Sequence, residues 1–203
     1  NDTLSEDEIR KGIAKGILTR GMFPVFCVSA KNNIGVDRLM EFIVNEAPSI
    51  ADMPAPVNNK GAVIKADPNG PASVYVFKSS IEEHIGEINY FRVYSGKITE
   101  NLDVVNTSNG TKERLSQLYV VAGKNRARVS ELCTGDLGAF VKLKNTKTEH
   151  TLNAPGNDWK FEGVKFPEPK YRTAIKAVSE SDDEKLGEAL NKIHLEDPTI
   201  IVE

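Results

Sequence analysis

Apolar residues recur at helical spacing twice within the first fifty positions of the chain. Ile9, Ile13 and Ile17 stand four apart with Leu18 beside them, and the preceding Ser5 and Glu8 have the spacing of a capping box. This predicts a helix to about Gly21. A second helical face is written by Val36, Leu39, Met40, Ile43 and Val44, and it stops before Pro48. Between the two, "FPVFCVSA" is apolar on both sides, the pattern of a strand inside a covered sheet. Helix, buried strand, loop and helix together form the edge of an α/β domain.

The periodicity then changes. Residues 49–71 are rich in proline and lack sustained periodicity, so they read as an extended linker. Beyond them, "SVYVFKSS", "EINYFRVYSGKI", "DVVNTSNGTKERLSQLYVV" and "DLGAFVKL" alternate with a period of two and are separated by turn residues, among them Asn109-Gly110. Short strands at this spacing predict a small antiparallel barrel or sandwich. "KFPEPKY" breaks regular structure again. After it "YRTAIKAV" alternates like a strand, Ser181 and Glu184 have capping-box spacing, and Leu186, Ala189, Leu190 and Ile193 make a helix face. A further strand is expected from Thr199, giving the start of a β-α-β unit. The expected organisation is multidomain α+β: an α/β edge over 1–49, a linker over 50–70, a barrel over 71–165 and the β-α-β start over 166–203.

Composition narrows the function classes. A chain of 203 residues with 39% hydrophobic content can bury a core, and a net charge of -3 excludes a protein that coats nucleic acid or anionic membrane over its whole surface. Any such contact must be local. Cys27 and Cys133 lie in apolar runs far apart, which suits reduced, buried thiols and a cytoplasmic protein. No run approaches the length of a membrane span, and "NDTLSEDEIR" is not a signal peptide. The start lacks methionine and "DPTIIVE" stops within a β-branched run, so the sequence reads as a piece of a longer protein.

Chemistry-bearing residues are sparse. His84, His150 and His194 have no partner at metal-ligand spacing and read as packing or solvated residues. The acidic "SESDDE" reads as a helix first turn, and Trp159 as an aromatic closing a barrel end. Residues 112–128 are more informative, because they concentrate Lys112, Arg114, Lys124, Arg126 and Arg128 against the single acid Glu113. A loop tip of this kind can hold phosphates without reading bases, or be a solvated hairpin. On these residues alone, a self-standing RNA- or protein-binding barrel is one reading.

The ordered motifs resemble those of the translational GTPases, and within them elongation factor G. "FCVSAKNNIGV" is similar to the last guanine-nucleotide motif of the GTP-binding domain, and "INYFRVYSGKI" to the signature of the second, barrel domain. "LCTGDLGAFVKLK" resembles the end of that barrel, "KFPEPKY" the approach to the third, ferredoxin-like domain, and "DEKLGEALNKIHLEDPTI" that domain's first helix and turn. The tetracycline-resistance ribosomal protection class shares these domains, while "FPEP" and "EDPT" favour the elongation factor.

The resemblance implies that the backbone amide of Ala30 meets the guanine carbonyl oxygen, that Ser29 fixes the loop and that Lys31 lies along the base. It implies GTP and Mg²⁺ as cofactors of the parent protein, with the phosphate loop and switches outside this segment. The chain alone is therefore expected to bind neither and to be inactive as an enzyme. It also implies a monomer whose partner is the ribosome, through RNA of the small subunit, with tRNA and mRNA engaged indirectly and no membrane. Lys124, Arg126 and Arg128 are the candidate RNA contacts, with Arg92 of "FRVYSG" as a further one or a structural residue. Two turns depart from the family pattern, with Asn101-Leu102 where it has Gly-Asp and Glu149-His150-Thr151-Leu152 where it has "GDTL". Asparagine enters the left-handed region readily, glutamate only with strain.

Overall fold

A computed structural model describes residues 3–82 and 84–202, and the chain divides into two compact units, Asn1–Ala55 and Pro56–Glu203. In the first unit, helix α1 (Glu6–Leu18) begins with the expected box: Glu8 N–H donates to Ser5 Oγ, and Ser5 N–H donates back to the Glu8 carboxylate at 2.8 Å. Helix α2 (Val36–Glu46) follows. The stretch read as a buried strand is not one. Residues 22–28 hold no regular structure, and Phe23 and Val25 are 78% and 89% exposed. A strand exists only through the hydrogen bonds of a neighbour, and none of the described residues supplies one. Cys27 is exposed for the same reason, and Cys133 is half-buried; both are free thiols.

The second unit is dominated by ten antiparallel strands: β1 (Ser73–Glu82), β2 (Gly86–Ser95), β3 (Lys97–Thr99), β4 (Leu102–Asn106), β5 (Thr111–Leu115), β6 (Leu118–Ala122), β7 (Asn125–Arg128), β8 (Glu131–Cys133), β9 (Leu137–Val141) and β10 (Thr151–Asn153). Eight form one sheet in the order β5-β4-β10-β1-β2-β9-β6-β7, and β3 pairs with β8. This order dictates a curled sheet. β5 and β6 stand six strand spacings apart, about 29 Å in a flat sheet. Yet only Ser116 and Gln117 separate Leu115 from Leu118, a link that spans at most about 10 Å. Register shifts at Ser73/Val74 and Val76/Lys78 supply the bending in the long β1–β2 pair.

Curling brings both ends of the strand order into one core. Val104, Leu115, Leu118, Phe140 and Leu152 pack with Val74, Val76, Phe91 and Val93, and Ile98 of β3 and Leu132 of β8 close the same cluster. Phe91 and Phe140 stack at its centre, with ring centroids 3.8 Å apart. Gly138 makes room for them, because a Cβ there would stand 2.6 Å from Phe91 Cζ. Residues 56–64, within the stretch read as linker, bind to the barrel: Ile64 is buried against Tyr75 and Phe161, and Trp159 packs on the same cluster. Asn58 Oδ1 organises this loop by accepting from the amides of Lys60 and Ala62.

Both departures from the family turns adopt the left-handed conformation, Asn101 at φ 62° and Glu149 at φ 71°. The Asn109-Gly110 turn lies in a four-residue connection rather than a two-residue one, since the last pair flanking it is Asn106 with Thr111. A 3-10 turn at Glu180–Asp182 leads into helix α3 (Asp183–Glu196). The second capping box does not form. The turn draws Ser181 inside the helical run, and Asp182 takes the cap position with no side-chain cap bond. Residues 171–178 and 199–202 are not strands, for the reason that applies to 22–28.

His150 joins the barrel to the loop before β10. Its Nδ1 accepts from Lys147 N–H at 3.1 Å and from Asn106 Nδ2 at 2.9 Å, which places the ring proton on Nε2. Burial holds the imidazole below its ordinary value, against the opposing influence of the Asn145 carbonyl. As the pH falls below about 6.5 the unfolded chain takes up this proton first, so stability is lost on acidification until the depressed folded value is passed. Urea midpoints at pH 7.5 and 5.5 should fall further for the wild type than for His150→Gln. Equal losses would show that His150 is not the responsible group.

Candidate nucleotide-base loop and nucleic-acid interface

The loop that carries Ser29, Ala30 and Lys31 is closed by its own backbone. Ser29 N–H donates to Ile34 O at 2.9 Å and Ile34 N–H returns to Ser29 O at 3.0 Å, while Asn33 N–H reaches Ala30 O. Asn33 at φ 52° and Gly35 at φ 72° turn the chain into α2. At Gly35 a Cβ would approach Cys27 O to 3.3 Å, so glycine serves both the turn and the close passage. Ala30 and Lys31 are exposed, and the Ala30 N–H makes no hydrogen bond among the described residues. A loop with a free amide beside an exposed lysine fits the edge and face of a planar base.

The basic segment is a hairpin rather than an open loop. β6 and β7 pair from Tyr119 with Arg128 to Ala122 with Asn125, leaving Gly123 and Lys124 as a two-residue turn. Gly123, at φ 60°, takes the position that hairpin turns with a positive first φ reserve for glycine. Lys124 is exposed at the tip with no ion pair among the described residues. Its two neighbours differ. Arg126 is partly buried and pairs with Glu82 at the end of β1, clipping the hairpin to the β1–β2 end of the sheet. It lines a shallow pocket together with Gln117, Tyr119, Val141 and Lys142. Arg128 forks onto Glu100, with Nε to Oε1 at 2.6 Å and Nη2 to Oε2 at 3.1 Å. The guanidinium holds the Glu100 carboxyl below the usual carboxylate range, and Glu100 in turn raises Arg128.

Arg92 stands apart from the hairpin tip. It lies between Tyr75 and Leu137 in the strand register, with its guanidinium carbon 5.7 Å from the Tyr94 ring centroid and a buried Nε that has no hydrogen-bond partner. Its surroundings are those of a packed residue. The sequence therefore grouped four cations that the fold separates into a free tip, two intramolecular pairs and an arginine laid over an aromatic ring. Glu82 and Glu100 were the missed partners. They lie 44 and 28 residues from their arginines, beyond any local pattern.

Comparison with known proteins decides the family. The family model "Elongation factor G domain 2" matches residues 71–154, and "Elongation Factor G, domain III" matches residues 166–203, together more than half of the chain. The chain belongs to the elongation factor G family. A crystal structure of a protein from Thermus thermophilus is similar over 99% of this chain, with 25% identity and a TM-score of 0.77. The chain spans 28% of the length of that protein. As in this family, an antiparallel barrel of the domain II type precedes part of a ferredoxin-like domain III, of which α3 is the regular element here. The chain is thus part of an elongation-factor-G-like translation factor.

The two arginine pairs differ in consequence for this elongation factor G barrel. Arg126→Ala should lower stability by about 1.5 to 3 kcal/mol, the usual range for a hydrogen bond to a charged group. Arg128→Ala, on an exposed pair, should leave the thermal midpoint nearly unchanged. Equal melting of Arg126→Ala and wild type would remove the clip from the description of the hairpin.

Proposed function

We propose that this chain is a segment of a cytoplasmic, monomeric translational GTPase of the elongation factor G type, one that binds the ribosome and couples GTP hydrolysis to the movement of tRNA and mRNA. The observation that carries the reading is the ordered pair of elongation factor G domain matches. The base loop adds support, because the free Ala30 amide, the closing Ser29 and the exposed Lys31 fit a guanine edge. In the parent, GTP with Mg²⁺ supplies the phosphoryl chemistry, and these three residues would hold only its base. The barrel would meet RNA of the small subunit, led by Lys124, with the exposed Arg128 able to exchange the Glu100 carboxylate for a phosphate. Arg126 and Arg92 would act chiefly by positioning. No helix among the described residues is long and apolar enough to cross a membrane.

The sequence of this chain contains no Gly-rich phosphate loop ending in Gly-Lys-Ser/Thr. Phosphate and Mg²⁺ contacts supply most nucleotide affinity and the charge neutralisation that phosphoryl transfer needs. Calorimetry of the chain with GTP and Mg²⁺ should therefore show no binding in the micromolar range, and a micromolar constant would overturn this assignment of the site. In pelleting assays with small ribosomal subunits, Lys124→Glu should weaken binding on the order of fivefold at about 50 mM salt and less at higher salt. Unchanged binding at low salt would remove the hairpin from the interface.

A further inference from the structure

Positive charge is densest in sequence on the β6–β7 hairpin, yet the fold neutralises two of that hairpin's three cations. Apart from Lys124, the denser charge without a partner lies elsewhere. The loop between β9 and β10, "KLKNTKTEH" over 142–150, carries Lys142, Lys144 and Lys147 within six positions, with no acid before Glu149. All three are exposed and none forms an ion pair among the described residues. Lys147 acts on the half-buried Glu87 carboxylate only at longer range.

Loops bearing several lysines are ordinarily mobile, and ordering them on binding costs free energy. This loop is already ordered. The Glu113 carboxylate on β5 accepts Asn145 N–H at 2.8 Å, Thr146 Oγ1 at 3.1 Å and Lys144 N–H at 3.4 Å. Asn109 Nδ2 donates to Asn145 O at 2.7 Å, and Asn106 Nδ2 reaches Asn145 O at 3.1 Å. At the far end His150 accepts from Lys147 N–H, and Thr148 Oγ1 accepts from Ser79 N–H. The loop is also bracketed by two left-handed residues that are not glycine, Lys142 at φ 61° and Glu149 at φ 71°. Such conformations persist only where surrounding bonds over-determine them, and they gather at functional segments.

We propose that the loop Lys142–His150 is a second RNA-contacting element of the barrel, a pre-ordered platform whose three lysines engage backbone phosphates independently of the β6–β7 hairpin. This rests on the reading of the barrel as facing ribosomal RNA. Lys142 and Lys147 are five positions apart, so their Cα atoms lie within about 17 Å, a span that covers a few successive phosphates of one strand. Glu113 has the positioning role. Its negative charge would oppose RNA on Coulomb grounds alone, yet it fixes the peptide that presents Lys144.

The test uses the whole chain and small ribosomal subunits, with affinity measured across a series of salt concentrations. Replacing Lys142, Lys144 and Lys147 by alanine together should flatten the slope of log affinity against log salt by roughly two to three, close to one per lost phosphate contact. Lys124→Ala should flatten it by about one, and the two effects should add. Glu113→Gln separates positioning from charge. The variant is more positive, so charge alone predicts tighter binding, whereas a loosened platform predicts binding weakened by roughly threefold or more. Thermal melting of each variant identifies any that unfold, in which case the single substitutions Lys144→Ala and Lys147→Ala carry the test. Absence of any wild-type binding would sink the ribosomal reading itself. Wild-type binding with an unchanged slope in the lysine variant would overturn this proposal alone, and tighter binding by Glu113→Gln would overturn the pre-ordering.

Discussion

The two-residue link between β5 and β6 is the constraint on which the second unit depends. Strands so far apart in the sheet order cannot be joined by so short a connection unless the sheet closes on itself. Closure then determines what the interior must be. Side chains from seven strands of the sheet and from the β3–β8 ribbon converge on one cluster, and two phenylalanine rings stacked face to face fill its middle. The stack in turn needs an absent side chain at Gly138. A chain property, a packing solution and a single glycine are successive consequences of one topological demand.

Much of this was legible in the amino-acid pattern. The alternation in β1, β2 and β9 announced an antiparallel barrel or sandwich, and Ser5 with Glu8 announced the start of α1, because both signals act within a few residues. The two strands that failed to form share one physical cause. "FPVFCVSA" and "YRTAIKAV" have the composition of strands, but a strand is a relation between two segments, and no partner for either lies among the described residues. Ser181 with Glu184 failed more locally, since Ser179 and Asp182 organise a tighter turn just ahead of the helix. The base loop was legible as a motif. That the Ala30 amide stays free while Ser29 and Ile34 close the loop emerged only from the geometry.

Charge was the least legible property. Lys124, Arg126 and Arg128 look equivalent in sequence, yet one projects from a turn, one is clipped beneath the hairpin and one is held in a bidentate fork. The lysines of the β9–β10 loop carry no distinguishing local pattern, because the sequence does not show which lysines lack an acidic partner. Net charge over a window counts residues but not partners, and the partners come from strands that meet only after folding. Polar side chains do similar work at the barrel mouth, where Asn106, Glu113 and His150 bind a loop that has little apolar content of its own.

The barrel's first and last strands are neighbours. Ser73 opens β1 opposite Asn153, which ends β10, and the buried Ser73 hydroxyl donates to Asn153 Oδ1 at 2.6 Å. Just outside, Ala154 N–H closes onto Ala72 O at 2.8 Å. The chain thus enters and leaves this fold through one doorway, about 5 Å wide as in any antiparallel pair. Once the Ile64, Tyr75 and Phe161 cluster that ties the flanking segments to the barrel had released, tension through them would load that pair at its open end. Its bonds would then give way one at a time, like a zip, instead of resisting together in shear. The serine–asparagine bond is the first tooth of that zip.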